Sequence, residues 1–323
     1  MTESSGPRVA VFAPSPALVC TFEYADDDGK DVDIALNVGG QGPWVARAVS
    51  ALGATPVLVV PLGGDTGRAA HHLLINEGLD LRAVDVQAAI ACFVEERRHG
   101  ERSCIRDARP GRFGQREIDE IYSAGLSAAL DAEVCIITGS PWEDHLDPTL
   151  ITRLCADLAE LGRPTVADLS GEQLDAALEG GVDWLKIAHD ELALDDPEGA
   201  PDDALWAEVE RLAGAGGHTR NVIVSRSADE PALALVDGHR SLVTAPRLTP
   251  VDSRGSGDTM TAALAVGVAE GRPIDELLRR AAAAGAANAV HKGSASPHPS
   301  LVAHLAPEVR VERLDGAGGT PEG

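Results

Sequence analysis

The sequence predicts an α/β domain with a doubly wound, mostly parallel sheet, helices on both faces and a small β-sheet lid. Three observations lead to this fold class. Apolar strand-like runs alternate with helical segments through short loops, most regularly over 115–225, which is the pattern of parallel βαβ units. Two strand pairs, within 19–38 and 88–107, stand outside the alternation and predict one composite lid. A glycine-rich loop at 251–260 joins a strand to a helix and predicts an anion site there.

Length and composition limit the class of protein. A chain of 323 residues can bury a large core, as one α/β domain or two smaller ones. The net charge of −24 argues against a nucleic acid or a membrane surface as partner. The five cysteines show no CxxC spacing, which favours reduced thiols and predicts a cytoplasmic protein. No apolar run is long enough to predict a membrane-spanning helix.

The N-terminal segment is predicted to begin the core and to supply the first half of the lid. Arg8 to Ala13 is a short apolar strand that belongs to the core. Thr21 to Tyr24 and Val32 to Asn37 are predicted as a pair of lid strands. Gly39-Gly40-Gln41-Gly42 then leads into a helix from Pro43 to Leu52, with proline in its first turn.

The remaining elements complete the sheet and its two helical layers. The second lid pair is predicted at 90–97 and 102–106, and helices and strands then alternate to a strand at 222–225, a hairpin at 232–244 and two alanine-rich helices at 256–270 and 274–290. The predicted core therefore comprises 1–18, 39–87 and 108–306, and the lid comprises 19–38 and 88–107. Residues 307–323 are polar and glycine-rich, which predicts a flexible tail.

The segment Asp252-Ser253-Arg254-Gly255-Ser256-Gly257-Asp258 is predicted to bind an anion. Its glycines fall between a strand and a helix N-terminus, where unpaired N–H groups and the helix dipole attract negative charge. Asp258 stands in the first turn of that helix. A carboxylate beside a bound anion weakens binding but is well placed to take a proton. The alternative for Asp258 is a purely structural helix cap.

Four segments resemble the signatures of one enzyme family. They are Gly39-Gly40-Gln41-Gly42 followed by Val45-Ala46-Arg47 (GGKGxNVAR), Thr138-Gly139-Ser140-Pro141 (SGSxP), Asp168-Leu169-Ser170-Gly171 (DTSG) and Asp252 to Asp258 (DxxGAGD). From about residue 9 to about residue 305, the chain resembles the ribokinase-like (PfkB) carbohydrate kinases, and among them the 1-phosphofructokinase and tagatose-6-phosphate kinase branch. The resemblance implies the ribokinase-like fold and ATP-dependent phosphorylation of a sugar or sugar-phosphate hydroxyl.

The resemblance also implies roles for individual residues. Asp258 matches the family's general base, and the N–H groups of Gly255, Ser256 and Gly257 match its anion hole. Contacts to the acceptor substrate are implied for Gly39, Gly40, Gln41, Trp44 and Ser140. Contacts to the nucleotide are implied for Lys186, Ser225, Arg254 and Asn288. Asn288 otherwise stands in a helix interior, where asparagine is mildly unfavourable.

Cofactors and partners follow from the same resemblance. Mg²⁺ is expected to arrive with ATP, and Glu191 matches the residue that holds a water of its coordination shell. The alternative for Glu191 is an acidic residue in the first turn of a helix. A monovalent cation is implied near Asp252 and the loop from Val290 to Ser294. A homodimer formed through the β lid is also implied.

Several positions depart from the family pattern. On the acceptor side, the family's Asp, Lys, Asn and lid Thr-Arg are replaced by Val19, Gln41, Trp44 and the stretch around Ala89. On the nucleotide side, Ala188 replaces an asparagine and the loop at 225–231 lacks glycines. Two hypotheses follow. One is a kinase with an altered acceptor; the other is a protein of the same fold with weak or no kinase activity that binds a nucleotide or metabolite.

Other charged and glycine-containing motifs are weaker candidates for a binding site. Six arginines between Arg97 and Arg112 form either a solvated hairpin or subunit contact, or a phosphate site in which one or two of them replace the lost lid arginine, with Arg98 and Arg102 as the pair to substitute. Gly40-x-Gly42 lacks the rest of a dinucleotide fingerprint, and no Walker A motif occurs. The histidines and cysteines do not have the spacing of a zinc site.

Overall fold

The computed structural model describes residues 6–24, 31–98, 101–142, 144–194, 196–197, 199–227, 229–291 and 297–314. The strands in this part of the chain are β1 Arg8–Phe12, β2 Ala17–Tyr24, β3 Val32–Gly39, β4 Thr55–Gly63, β5 Asp80–Val86, β6 Ala91–Arg98, β7 Glu101–Ala108, β8 Val134–Thr138, β9 Thr165–Asp168, β10 Trp184–Ala188, β11 Asn221–Ser225, β12 Ala232–Val236, β13 His239–Thr244 and β14 Arg310–Arg313. The α-helices are α1 Gln41–Ala51, α2 Gly64–Asn76, α3 Gln115–Leu130, α4 Pro148–Glu160, α5 Gly171–Gly180, α6 Asp202–Gly214, α7 Ser256–Ala269, α8 Ile274–Ala289 and α9 Pro299–Leu305.

The main sheet has ten strands in the order β14-β13-β12-β11-β10-β9-β8-β1-β4-β5. Neighbouring strands from β11 to β5 are parallel, whereas β12, β13 and β14 add an antiparallel edge. Alternate side chains of β1 enter two different cores: Val9 and Val11 pack with α1, α7 and α8, and Ala10 and Phe12 pack with α3 to α6. Helices therefore cover both faces, and the predicted doubly wound, mostly parallel sheet is confirmed.

A separate four-stranded sheet forms the lid, in the order β3-β2-β6-β7. Strand β2 pairs antiparallel with β3 and parallel with β6, so the two sequence-distant strand pairs form one sheet, as predicted. The lid strands begin at Ala17, two residues before the predicted boundary, because Ala17 already pairs with both Gly39 and Ala91. A register shift between Val94 and Glu95 interrupts the pairing of β6 with β7.

The C-terminal segment departs from the predicted flexible tail at 307–323. Arg310–Arg313 forms β14 and pairs antiparallel with β13, with Val311 opposite Val243. Val309 is fully buried just before this strand and anchors the segment to the core. The predicted tail therefore starts too early, and its last part, 315–323, lies outside the described residues.

Helix α7 holds the predicted anion loop in place. It is buried without interruption from Thr259 to Gly267, and its small residues allow α8 to pack closely against it. A Cβ added to Gly267 would stand 2.3 Å from Leu277 Cδ2, so the two helices leave no room for a side chain there. Although α7 is apolar, no helix among the described residues is long and apolar enough to cross a membrane.

Candidate active site

A cavity of about 560 Å³ lies between the carboxyl ends of the central strands and the inner face of the lid. Its core side is formed by the loops that follow β1, β8 and β9, together with the first turns of α1 and α7. Its lid side is formed by side chains of β2, β6 and β7. Clefts at the carboxyl edge of a doubly wound sheet are the usual ligand sites of this architecture.

The loop before α7 carries the predicted anion hole. Gly255 is the residue that caps α7, and its left-handed φ of 75° is a conformation that favours glycine. The N–H of Ser256 donates to the carbonyl of Ser253 at 3.2 Å, so this predicted donor is partly occupied. Among the described backbone bonds, the N–H groups of Gly255 and Gly257 have no such acceptor. Gly255, Ser256 and Gly257 are not among the residues that line the cavity, but they lie between Arg254 and Asp258, which do, and the N-terminal end of the α7 dipole favours an anion there.

Asp258 lines the cavity from the first turn of α7. The pKa of its carboxyl is raised to about 7, mainly by burial and also by the neighbouring carboxylates of Asp168 and Glu191, while the Lys186 ammonium acts to lower it. A carboxyl group that titrates near neutral pH is well matched to proton transfer. The role of general base for Asp258 stays a prediction, beside the alternative of a structural helix cap.

Lys186 lies beneath the anion hole and does not line the cavity. Its Nζ is 3.3 Å from both carboxylate oxygens of Asp168, and the two residues are register neighbours on β9 and β10. Burial acts to lower the pKa of Lys186, but Asp168, Asp258 and Glu191 together raise it, so the ammonium stays charged. A Cβ on Gly257 would stand 2.8 Å from this Nζ. The charge of Lys186 thus sits directly against the anion hole.

Asp168 is 4% exposed and joins the loop after β9 to α7. Its Oδ2 accepts a hydrogen bond of 2.7 Å from Thr261 Oγ1. Its backbone carbonyl accepts from Gln41 Nε2 at 3.2 Å, and Gln41 Oε1 accepts from the N–H of Gly139 at 3.1 Å. The side chain of Gln41, predicted to bind substrate, therefore bridges two loops of the cavity wall.

Glu191 also lines the cavity, in a short 3₁₀ turn after β10. Its Oε2 accepts from the N–H of Ala188 at 3.0 Å, which leaves Oε1 for other partners. Burial raises the pKa of this carboxyl, against the opposing effects of the Ala188 N–H and Lys186. The described residues contain no group of three or more possible metal ligands. A single carboxylate fits an Mg²⁺ ion that keeps waters and is held mainly by substrate phosphates.

Two of the residues predicted to bind the nucleotide have other contacts. Asn288 is fully buried, and its Nδ2 donates to the carbonyl of Arg254 at 2.8 Å and to Ser256 Oγ at 3.3 Å. It therefore braces the anion-hole loop from α8. Ser225 ends β11 and donates through Oγ to the carbonyl of Ile187 at 3.4 Å, away from the cavity.

Ser140 and Gly40 shape the acceptor side of the cavity. Ser140 is held by a reciprocal pair of 2.8 Å bonds to the amide of Gln173, and its Oγ donates to Ser15 Oγ at 3.2 Å. Gly40 has a φ of 96°, and a Cβ there would stand 2.7 Å from the carbonyl oxygen of Ser15. Glycine is thus required for the chain to turn from the lid into α1.

Val19 and Trp44 replace the family's polar residues with one apolar surface. Both line the cavity and converge over Gly39: a Cβ on that glycine would stand 2.7 Å from Val19 Cγ2 and 3.7 Å from Trp44 Cζ2. Val19 pairs in register with Phe93 on β6, which also lines the cavity. The ring of Phe93 is stacked with that of Trp142, with centroids 6.2 Å apart and planes 20° apart.

At the lid tip, charged side chains meet the anion-hole loop. Glu95 is 8% exposed; its Oε2 lies 3.4 Å from Arg102 Nη1 and its Oε1 lies 3.5 Å from Arg254 Nη1. Arg97 forms a buried ion pair of 2.5 Å with Asp252. These pairs fasten β6 to the loop that carries Gly255.

The carboxylate of Asp252, which the resemblance implies near a monovalent cation, already has two protein partners. Its Oδ2 is taken by Arg97 and its Oδ1 accepts from the N–H of Arg254 at 3.1 Å. Both oxygens are therefore engaged, and the guanidinium already supplies a positive charge. Residues 292–294 of the second implied contact lie outside the described residues.

Proteins of similar sequence identify the family of this chain. A model of the pfkB family carbohydrate kinases matches residues 17–301. The chain belongs to this family. It is 30% identical over 274 residues to an ATP-dependent 6-phosphofructokinase isozyme 2 of Mycobacterium tuberculosis, covering 80% of this chain and 76% of that protein. It is 29% identical over 263 residues to the isozyme of that name from Escherichia coli, covering 79% of this chain and 82% of that protein.

Solved structures agree on the fold. The structure of phosphofructokinase-2 from Escherichia coli in complex with potassium superposes with a TM-score of 0.79 at 22% identity, over 94% of this chain and 99% of that one. The predicted resemblance to the phosphofructokinase-like carbohydrate kinases, and with it the prediction of an enzyme, is confirmed.

Several cavity residues of this pfkB family member were not predicted as site residues. Phe93, Glu95, Trp142 and Gln173 line the cavity. Phe93 and Glu95 occupy alternate positions of a predicted strand, so the period of two could have placed them on the lid face with Ala91. Trp142 stands two residues after Ser140 of a recognised motif, and the stack with Phe93 needs the folded lid.

The arginines of the lid divide into two groups. Arg102 lines the cavity and Arg97 reaches the anion-hole loop. Arg98 lies on the opposite face of the lid, where its guanidinium is 3.7 Å from the centroid of the Tyr24 ring and pairs with Glu96 at 3.1 Å. Of the two arginines predicted to hold a phosphate, only Arg102 is placed to meet a ligand in this cavity.

Proposed function

We propose that the protein transfers the γ-phosphoryl group of Mg·ATP to a hydroxyl of a sugar or sugar phosphate, with Asp258 as general base and the Gly255–Gly257 backbone as anion hole. The observation that carries this proposal is the position of Asp258, a carboxyl of pKa about 7 that lines the cavity in the first turn of α7. Phosphoryl transfer depends mainly on positioning and on stabilising negative charge. Both are supplied at this end of the cavity.

The reaction balances as a direct transfer. The acceptor O–H gives its proton to the Asp258 carboxylate while the oxygen forms a bond to the γ-phosphorus. The bond between that phosphorus and the bridging oxygen of ADP breaks, and its electron pair stays on ADP. The N–H groups of Gly255 and Gly257 and the nearby charge of Lys186 stabilise the negative charge of the transferring group. The Lys186 ammonium is fixed in this position because its Nζ donates to both carboxylate oxygens of Asp168.

Mg²⁺ would arrive with ATP and neutralise phosphate charge. Glu191 would hold it, through a water or directly with Oε1, for which the described residues supply no hydrogen bond. Lys186 and Asn288 support the nucleotide end indirectly, by charge and by bracing the loop of Arg254. Arg254, which is exposed at the cavity, is the predicted nucleotide-binding residue best placed for direct contact.

The alternative, a weak or inactive kinase that binds a nucleotide or metabolite, is favoured by the altered loop at 225–231 and by Ala188. Against it stands the retention of the whole charge group around Asp258. The relatives named 6-phosphofructokinase support catalysis on a phosphosugar-like acceptor in this family.

Turnover with a panel of acceptors distinguishes the active kinase from the weak or inactive binding protein. The protein is incubated with Mg·ATP and hexoses, pentoses, phosphohexoses or nucleosides, and ADP and phosphorylated product are measured. We expect turnover of at least one acceptor and a fall of more than about a hundredfold in kcat for Asp258→Asn, the scale of a lost general base. Binding of ATP with no turnover on any acceptor would support the alternative instead.

We also propose a homodimer formed through the outer face of the lid. Ile34 is 62% exposed and Leu36 is 52% exposed on the edge strand β3, where large apolar side chains favour burial against a second copy. Ile34→Asp is expected to halve the mass measured by sedimentation equilibrium. Leu161→Asp is the matched control, because Leu161 is similarly exposed (51%) after α4 and should leave the mass unchanged. A monomeric wild type would contradict the proposal.

The cytoplasmic location stays a prediction, supported by five free cysteines.

A further inference from the structure

We propose that the acceptor is a sugar carrying a planar heterocyclic ring, as a nucleoside does, and no phosphate group of its own. This inference rests on the proposed kinase function and concerns the same cavity. It is carried by an aromatic wall on the acceptor side, defined by Trp44, Phe93 and Trp142, and by a group of charges that neutralise one another.

The aromatic wall is unusual for this chain. The sequence contains only four tryptophans, two tyrosines and four phenylalanines. Three of these ten line the cavity, each partly exposed to it. The remaining tryptophans, Trp184 and Trp206, are 7% and 5% exposed and pack in the two cores. Exposed aromatic rings in a cavity offer faces on which a planar ring can stack.

Val19 extends the wall and removes a polar contact. It stands where the family pattern has the carboxylate that holds sugar hydroxyls, and it meets Trp44 over Gly39 and Phe93 across the lid strands. Two polar positions of the pattern, occupied here by Val19 and Trp44, have therefore become apolar next to each other. A neighbouring pair of changes of this kind indicates a new binding surface, since a sugar hydroxyl placed there would lose its hydrogen bonds.

The charges of the cavity are poorly suited to an acceptor phosphate. The arginines that line it, Arg102 and Arg254, both face the carboxylate of Glu95, at 3.4 Å and 3.5 Å. A phosphate between them would meet the negative charge of Glu95, which is costly where water is largely excluded. Arg109, whose guanidinium lies 5.2 Å from the centroid of the Trp142 ring, does not line the cavity.

Glu95 is instead suited to bind a hydrogen-bond donor. Its Oε2 faces Arg102 in an ion pair of 3.4 Å but accepts no hydrogen bond from any residue that the structure describes. Such an acceptor is expected to bind an N–H or O–H group. The polar edge of a nucleobase or a ribose hydroxyl supplies that donor, whereas a phosphate dianion has only acceptors. The transfer is the one already written, with the nucleoside hydroxyl as nucleophile and ADP as leaving group.

Steady-state kinetics test the inference with adenosine, uridine, fructose and fructose 6-phosphate as acceptors at saturating Mg·ATP. We expect kcat/KM for the better nucleoside to exceed that for fructose 6-phosphate by at least about tenfold, the scale of one or two aromatic contacts. Fructose 6-phosphate should be no better an acceptor than fructose. A preference for fructose 6-phosphate over both nucleosides would overturn the proposal.

Two variants locate the preference in the named residues. Trp142→Ala should lower kcat/KM for the nucleoside about tenfold and change the value for fructose 6-phosphate less than about twofold. Glu95→Gln should lower the KM for fructose 6-phosphate and raise that for the nucleoside, since it frees the charge of two arginines. The matched controls are Tyr24→Ala and Glu96→Gln, which alter the outer face of the same lid. Equal effects of the control and test variants would contradict the assignment.

Equilibrium binding keeps this test separate from catalysis. Uridine is titrated into the protein in the presence of Mg²⁺ and a non-hydrolysable ATP analogue, which occupies the nucleotide site, and tryptophan fluorescence is recorded. Trp44 and Trp142 line the cavity, so quenching at lower concentrations of uridine than of fructose 6-phosphate supports the inference even if no acceptor is phosphorylated. Failure of uridine to quench, or tighter binding of fructose 6-phosphate, overturns it. Absence of turnover on every acceptor counts against the proposed kinase function alone.

Discussion

The two ends of the cavity differ in how closely they follow the family pattern. At the end formed by α7, the anion loop, Asp258 and the buried Lys186–Asp168 pair form one connected group of charges and backbone donors. At the end formed by the lid, Val19 and Trp44 replace polar residues, and an aromatic wall has taken their place. In the proposed kinase, chemistry and acceptor recognition are therefore carried by different elements, and Val19 and Trp44 on the acceptor side depart from the family pattern while Asp258 on the catalytic side follows it.

If the proposed function holds, the difference indicates where a kinase of this fold can change without losing its reaction. The catalytic end is set into a helix buried from Thr259 to Gly267, so most substitutions there would disturb the core. The lid is a separate sheet with one face towards the cavity, and its inward positions can change without repacking the main sheet. The two ends are joined at the lid tip by the Arg97–Asp252 pair.

Gly257→Ala is expected to have the largest effect at the catalytic end. The added Cβ would stand 2.8 Å from Lys186 Nζ, which Asp168 holds in place, so the start of α7 must shift. We expect kcat to fall about a hundredfold, the scale of losing one anion-hole donor. Ser256→Ala is the control, because it keeps the backbone N–H and removes only a hydroxyl that accepts from Asn288. Similar kcat values for the two variants would argue against this placement of the anion hole.

The pair Arg97 and Arg98 tests the junction between the two ends. Arg97→Ala leaves the buried Asp252 carboxylate without its partner, and we expect the free energy of unfolding to fall by about 3–5 kcal/mol. Arg98→Ala removes a neighbouring arginine on the exposed outer face and should cost less than about 1 kcal/mol. Urea denaturation measures both. A cost for Arg97→Ala no larger than that for Arg98→Ala would mean that the lid is not fastened through this pair.

The pH dependence of catalysis follows from Asp258. A base must be unprotonated to accept the acceptor's proton, so with a pKa of about 7 we expect kcat/KM to fall about tenfold per pH unit below neutrality. A profile that stays flat from pH 8 down to pH 5 would exclude Asp258 as the base.

Stability should change in the opposite direction with pH. Because the pKa of Asp258 is raised in the folded state, folding favours the protonated form, and stability is lost as pH rises from the usual carboxyl range through 7. The Tm of Asp258→Asn relative to wild type should therefore increase between pH 5 and pH 8. A Tm difference that is constant over this range would mean that the carboxyl is not perturbed by burial.

More of the fold than of the candidate site could be predicted from the sequence. The sheet and the anion loop could be predicted because the alternating elements and the four motifs are patterns among residues that are close in sequence. The lid could be predicted because its two strand pairs stand outside that alternation. The contacts at the lid tip could not be predicted, since Arg97 and Asp252 are far apart in the chain and meet only when the lid closes over α7. The prediction of a flexible tail from residue 307 was wrong for a similar reason, because β14 is stabilised by pairing with β13 and not by its own composition.

Local motifs did not predict the protein contacts of two polar side chains. Gln41 and Asn288 occupy positions where the family resemblance implies ligand binding, yet their amides hold loops of this protein together. A motif specifies the position of a residue on the backbone, whereas the partner of a long polar side chain depends on the residues around it.

The separation of chemistry from acceptor binding is tested most directly by measuring turnover and acceptor affinity on one preparation of Asp258→Asn. We predict that kcat falls by more than about a hundredfold, while the Kd for the preferred acceptor, measured by tryptophan fluorescence, stays within about twofold of wild type because the aromatic wall is untouched. Retained turnover, or loss of acceptor binding together with turnover, would contradict it.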